Sequence, residues 1–332
     1  MRIRLYQVKS GDCIHVKFFN SNIIIDAGFF KTVKTSLFNI FEECKSTSQK
    51  VDLLVLTHTD QDHISGMKGL DIKKDYFEFL DSVWINNPSS IEQYNTSSNI
   101  SFIQGENTIN MLEANNVSYK SDIHNALDDF YLKSAKITIL SPVRSDLDEY
   151  NDQWEEIVGS REIGSSKRDW NMSIDELINK EIFLDNSNSN RVSIAFVLSY
   201  GKSKALFLGD ANPIVITEKL QSCGYSNERP LKLDCVKLSH HGSSCNVSQG
   251  LLDLIDCQNY MISSNSSYLH KLTLAKIIYI NKCKYGRDTH FYFNFPEQVY
   301  SGLTTEEEIK RYGIKCYFAK ENQNYIELEL ED

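Results

Sequence analysis

The chain has 332 residues, 41% apolar and 24% charged, with 35 Lys and Arg against 45 Asp and Glu for a formal net charge of −10. This composition excludes intrinsic disorder, a collagen-like repeat and a coiled coil as the overall state, and the length suffices for a sizeable core. No apolar run approaches the roughly 20 residues of a membrane helix, so no membrane span is expected.

The N-terminal MRIRLYQVKSGD has no hydrophobic stretch of signal-peptide length, and a cytoplasmic location is the expectation. The eight Cys form no C-x-x-C pair, which fits free thiols in a reducing compartment. The negative charge argues against tight, non-specific binding to duplex nucleic acid.

Three short strands are predicted first, at 3–8, 13–18 and 22–26, separated by Ser10-Gly11 and Asn20-Ser21-Asn22. Val33, Leu37, Ile40 and Phe41 have helical spacing over 32–44. Val51–Thr57 is a continuous apolar run, the pattern of a strand covered on both faces. Residues 64–135 read as mostly helical, with 86–135 as a helical insertion. A strand at 134–140 stops at Ser141-Pro142. The polar stretch 144–190 reads as an insertion or lid. Its Arg161, Lys167 and Arg168 are either phosphate contacts or a solvated surface.

Strands resume at 192–200 and 205–208, joined as a hairpin through Gly201-Lys202-Ser203. Helix 212–222, strand 234–238, helix 247–256, strand 259–263 and helix 272–283 then alternate. The last strands are 290–293 and a C-terminal hairpin of 313–318 with 324–330, either a sheet edge or a partner surface. The whole reads as a single α/β domain over 1–332, with sheets packed together and helices outside.

The chemistry concentrates at the ends of predicted strands. His58-Thr59-Asp60-Gln61-Asp62-His63 places four candidate ligands in six residues, where a strand gives way to a turn and neighbouring side chains converge. Imidazoles and carboxylates together suit a divalent first-row metal. The plain alternative is a polar loop with Asp62 capping the next helix. Asp210 ends strand 205–208, either as an N-cap or as a carboxylate bridging two metals. His240-His241-Gly242 follows strand 234–238, and one of the two adjacent His ligates while the other meets substrate. His270 follows strand 259–263. His15, His124 and His290 have no such setting and read as structural or surface residues.

His58-Thr59-Asp60-Gln61-Asp62-His63 resembles the H-x-[HD]-x-D-H motif of metallo-β-lactamase-fold hydrolases, and Leu208-Gly209-Asp210 their later bridging Asp. Asp60 in place of the usual second His, Ile64-Ser65-Gly66, Ser239-His240-His241-Gly242-Ser243, Gly11-Asp12 and Ile25-Asp26-Ala27-Gly28 narrow the likeness. They are similar to the ComEC-like hydrolase domain of DNA-uptake proteins and its soluble relatives. Asn190-Arg191-Val192-Ser193 resembles that group's N-x-x-S strand start. The likeness covers 1–85 and 190–283.

The resemblance implies a four-layer αβ/βα sandwich of two mixed sheets with helices on the outer faces, and a metal site at one edge between the sheets. It implies two divalent ions. His58, Asp60 and Asp210 would hold one; Asp62, His63, Asp210 and His241 the other. Catalytic roles fall to Asp62, His240 and His270. With three carboxylates in the set, Mn²⁺ or Mg²⁺ joins Zn²⁺ as a candidate. Two departures stand out. The third ligand His usual between the first motif and the bridging Asp is missing, as it is in the ComEC-like group; His124 lies in that interval without the expected setting. Tyr268-Leu269-His270-Lys271 replaces the relatives' Gly-His-Pro.

The implied activity is metal-dependent hydrolysis of a phosphodiester in DNA, RNA or a nucleotide, by water activated between two cations. Hydrolysis of a thioester, lactone or lactam would use the same ligands. A third possibility is a partner-dependent regulatory subunit with a structural metal site, as in a prokaryotic defence cluster that encodes its partner nearby.

Overall fold

Short apolar runs become strands buried on both faces, and longer amphipathic stretches become the helices that cover them. A computed structural model describes residues 1–87, 100–152, 169–184 and 188–331. Arg161, Lys167 and Arg168 lie outside the described residues. Seventeen strands are described: β1 (Arg2–Tyr6), β2 (Ile14–Phe18), β3 (Ser21–Ile25), β4 (Leu53–Leu56), β5 (Ser82–Ile85), β6 (Ser118–Lys120), β7 (Phe130–Leu132), β8 (Ala135–Ser141), β9 (Ala195–Tyr200), β10 (Ser203–Phe207), β11 (Leu231–Lys232), β12 (Cys235–Lys237), β13 (Ile255–Asp256), β14 (Asn259–Ile262), β15 (Thr289–Phe293), β16 (Ile314–Phe318) and β17 (Tyr325–Glu329). One sheet runs β17-β1-β2-β3-β4-β5-β6 and the other β16-β15-β14-β12-β10-β9-β8-β7, with a small β11-β13 pair beside them. Both large sheets mix parallel and antiparallel pairs.

Three apolar clusters define four layers. Ile3, Leu5, Ile23, Ile25, Leu53 and Val55 of the first sheet meet Ile137, Phe196, Leu198, Phe207 and Met261 of the second. The alternate residues of β3 and β4, Ile24, Leu54 and Leu56, face away and pack on Leu37, Ile40 and Phe41 of the helix Leu37–Ser46. Val236 and Ile262 likewise pack on the helices Pro213–Ser222 and Lys271–Cys283. The period of two sends successive side chains to opposite faces, so a strand between two layers must be apolar throughout. This is the four-layer αβ/βα sandwich expected above.

Some details depart from expectation. The stretch 86–135 is not all helix: after the helix Ile100–Ala114, β6 joins the end of the first sheet and β7 the end of the second. These strands are short and half-exposed, so their apolar pattern is faint. The C-terminal hairpin does not form. β16 runs parallel to β15 as the edge of the second sheet, while β17 pairs antiparallel with β1 as the edge of the first. Each strand finds a ready row of backbone hydrogen bonds on a different sheet, and this outweighs pairing with its neighbour in sequence. Among the described residues, no helix is long and apolar enough to cross a membrane.

The topology brings the functional motifs to one edge. β3 and β4 are parallel neighbours, as are β10, β12 and β14, so the residues after their carboxyl ends share a rim. The amide of Ile194 donates to the Thr57 carbonyl (2.8 Å) and joins the two sheets there.

Candidate metal centre

His58 and His63 leave β4 on either side of a turn and meet with ring centroids 4.1 Å apart. Asp210 arrives from β10 and His241 from β12. Five short distances link them to the neighbouring carboxylates. His63 Nε2 lies 3.3 Å from Asp210 Oδ2 and 3.8 Å from Asp62 Oδ2. His241 Nε2 lies 3.3 Å from Asp62 Oδ2. His58 Nε2 lies 3.7 Å from Asp60 Oδ2 and 3.8 Å from Asp210 Oδ2. A tetrahedral ion with bonds of about 2.0–2.2 Å spaces its ligand atoms about 3.3–3.6 Å apart. Two of the observed edges, at 3.3 Å, match that spacing, and the other three lie just beyond it at 3.7–3.8 Å.

The hydrogen bonds behind the rings decide which nitrogen faces the centre. His63 Nδ1 meets Asp26 Oδ2 at 2.7 Å, and His241 Nδ1 meets the Ser263 carbonyl at 3.0 Å. Both partners only accept, so Nδ1 carries the proton in each ring. The Thr57 hydroxyl donates to Asp26 (2.8 Å) and therefore accepts from His58 Nδ1 (3.0 Å). All three rings turn an Nε2 lone pair inward. Those three atoms, with Asp210 Oδ1, are buried without a hydrogen-bond partner. Such atoms are costly unless something unites them, and a divalent cation fits the donor set.

The electrostatics agree. Burial alone would push the Asp210 carboxyl up; the charges of His63, His240 and His241 hold it well below the usual carboxylate range. Burial would push His63 down, yet the charges of Asp210, Asp26 and Asp62 hold it well above its ordinary value. For His241, burial is overridden by the neighbouring Asp12 and Asp210 carboxylates, giving about 9. Carboxylates that hold protons on buried imidazoles demand positive charge, and a divalent metal held by these residues would supply it in place of the protons.

The turn after β12 accounts for the His pair. His240 (φ 44°) and His241 (φ 57°) are both left-handed, a conformation that costs a non-glycine residue about 1–3 kcal/mol. The rings then diverge. His241 is fully buried in the cluster, while His240 bonds Asn246 Oδ1 through Nδ1 (2.9 Å) and sets Nε2 3.9 Å from Asp210 Oδ2. Because Asn246 Nδ2 donates to the Asp210 carbonyl (3.1 Å), its oxygen faces His240. The His240 ring stacks on Tyr268, another left-handed residue. Asp210 depends on Gly209 (φ 50°), where a Cβ would come within 2.6 Å of Ser193 Oγ. That oxygen accepts the Asp210 amide at 3.0 Å.

Among the described residues, His58, His63 and Asp210 form one candidate ligand cluster and Asp62, His63 and His241 another, with Asp60 beside His58 outside both and His240 at the rim. His270 stands apart from the ligand clusters; its Nδ1 accepts the Ser244 amide at 3.2 Å, and burial lowers its pKa below the ordinary value. Neither Asp62 nor Asp210 is a helix cap; Asp60 and Asn212 occupy those positions. His15 is buried against Asn22, and His124 belongs to none of the ligand clusters among the described residues. Sequence patterning left Asp26, Thr57, Ser193 and Asn246 without a role, since each acts through a partner distant in the chain or through backbone geometry. The motifs containing Asp26 and Ser193 were the available signal.

No family model matches the sequence, and no curated protein matches it. Among solved structures the chain is similar to Zn²⁺-bound PqqB from Methylobacterium extorquens, at 9% identity and TM-score 0.47, covering 99% of this chain and 100% of that one. It is similar to unliganded yeast PDE1 at 11% identity and TM-score 0.45, covering 99% of each. It is also similar to the short form of human tRNase Z, at 11% identity and TM-score 0.45, covering 100% of each.

Proposed function

We propose that the chain is a metal-dependent hydrolase of the metallo-β-lactamase fold, in its ComEC-like branch, acting on a phosphodiester of DNA, RNA or a nucleotide. The convergence of the His58 and His63 Nε2 lone pairs on buried Asp210, with His241 Nε2 turned inward beside Asp62, carries this reading. His58, Asp60 and Asp210 would hold one divalent ion, and Asp62, His63, Asp210 and His241 a second. A nitrogen and carboxylate set without thiolates suits Zn²⁺ or Mn²⁺, with Mg²⁺ also acceptable. Bound ions supply charge neutralisation and acidify water. The phosphodiester assignment rests on the motif likeness.

The surrounding side chains divide the remaining work. A neutral His270 carries its proton on Nε2, because Nδ1 accepts the Ser244 amide. It is therefore a donor for charge developing on a substrate oxygen. A neutral His240 has the opposite tautomer, fixed by Asn246, and presents a lone pair beside Asp210. That suits a proton acceptor. Asp62 joins His241 across the gap between the sheets.

The test is hydrolysis of bis(p-nitrophenyl) phosphate by chelator-stripped protein refilled with Mn²⁺, Zn²⁺ or Mg²⁺. Turnover should require metal and vanish in Asp210→Ala. Metal binding without turnover on any phosphodiester would refute the substrate class, leaving a thioester, lactone or lactam substrate, or a partner-dependent role.

A further inference from the structure

Lys237 is a lysine in the interior. It ends β12 with 1% of its side chain exposed, and its ammonium donates to Asp12 Oδ2 at 2.6 Å and to the Leu238 carbonyl at 2.9 Å. Asp12 is equally buried and comes from the loop between β1 and β2, on the opposite sheet. Its other oxygen, Oδ1, has no hydrogen-bond partner and lies 3.6 Å from His241 Nδ1.

The same loop touches the other side of the centre. At Gly11 a Cβ would fall 2.0 Å from the Asp62 carbonyl oxygen, so only glycine lets the two backbones approach. The Gly11 carbonyl accepts the Ser263 hydroxyl (2.6 Å), and the Ser263 carbonyl accepts His241 Nδ1. Residues 11–12 are therefore wedged between the segment bearing Asp62 and the segment bearing His241. The ligand atoms of those two residues, one from each sheet, stand 3.3 Å apart. Around His58 the supporting groups are different: Thr57 and Ser193.

We infer that Asp12 and Lys237 are positioning residues for the second ion alone. The Ser263 carbonyl accepts the His241 Nδ1 proton, and the Asp12 carboxylate sets a negative charge 3.6 Å from that nitrogen, favouring the tautomer with its lone pair on Nε2; the ammonium fixes the carboxylate. This inference rests on the proposed two-ion centre. Groups that orient a metal-binding histidine typically change metal affinity about 10–100-fold.

A buried pair of this kind also has a purely structural reading, in which it merely fills the interior. The Asp12→Asn/Lys237→Met double variant separates the two. It removes both charges together and so avoids leaving either one buried alone. Apo protein is titrated with Mn²⁺ and Zn²⁺ by calorimetry, and its fold is checked by circular dichroism. The expected result is a native-like spectrum, one binding event of wild-type affinity and one weakened about 10–100-fold. In a His58→Ala background, the remaining event should be the one that the double variant weakens. Lys237→Arg, which keeps the charge and displaces the carboxylate, should weaken that event less, and it serves if the double variant does not fold. Two events of unchanged affinity in the double variant, or in Lys237→Arg if the double variant does not fold, would overturn the inference while leaving the proposed function intact. A wild-type protein that binds no metal would overturn both.

Discussion

Asp26→Asn tests whether the tautomer of His63 is imposed from behind. The buried carboxylate accepts the Thr57 amide at 2.7 Å, the Thr57 hydroxyl at 2.8 Å and His63 Nδ1 at 2.7 Å. Asparagine has the same shape but only one acceptor oxygen. With that oxygen kept on the Thr57 amide, the new NH₂ faces Nδ1–H, and two donors meet. His63 escapes by moving its proton to Nε2, which removes the lone pair from the centre. Hydrogen bonds to a charged group are each worth about 1.5–3 kcal/mol, so apo stability should fall by about that much for the lost His63 contact. Metal affinity should fall about 10–100-fold. Urea unfolding of apo protein reads the first quantity and calorimetric titration with Mn²⁺ or Zn²⁺ the second. Asp26→Asn protein that binds metal with wild-type affinity would refute the tautomer assignment.

Saturating metal should stabilise the wild-type protein by about 2.7 kcal/mol at one hundred times Kd, a rise in melting temperature that Asp210→Ala should lack. Gly209→Ala combines a left-handed φ of 50° with a Cβ placed 2.6 Å from Ser193 Oγ. It should cost about 1–3 kcal/mol in chemical denaturation and weaken metal binding by displacing Asp210. Glu308 accepts from the buried Lys271 ammonium at 2.9 Å, and although burial alone would raise its pKa, that contact and two backbone amides lower it. Its stabilisation is present above the unfolded-state value near 4.5 and fades as pH falls through the depressed folded value. Glu308→Gln should cost about 3 kcal/mol at pH 7, by stranding Lys271, and should flatten the stability profile below pH 5.

The site was legible wherever ligands cluster in the chain, and less so where folding assembles it. His58, Asp60, Asp62 and His63 announce themselves in six residues at the end of an apolar run. Asp210 was ambiguous because a carboxylate before a helix has two ordinary uses; in the fold it is Asn212 that takes the cap. The division of labour between His240 and His241 depends on two consecutive left-handed residues, which side-chain patterning does not encode. Asp12 and Lys237 are 225 positions apart, and nothing local connects them. Among the elements, strands buried on both faces were legible because they are predominantly apolar, as β4 (LLVL) is throughout. The helix Glu306–Tyr312 was missed although Thr305 and Glu308 form its capping box. The C-terminal strands were paired wrongly because proximity in sequence favours a hairpin and gives no weight to open sheet edges.

The pairing of β17 with β1 gives the chain a particular order of assembly on the ribosome. β1 emerges first, yet its outer edge is covered only by residues 325–329. Throughout synthesis the first sheet exposes a row of unpaired amides and carbonyls along Arg2–Tyr6, and that row can recruit a foreign strand. That row stays open until residues 325–329 have been made. A chain truncated just before Tyr325 keeps every candidate metal ligand and still carries an adhesive edge, so loss of residues 325–329 would show itself as aggregation before it showed itself in chemistry.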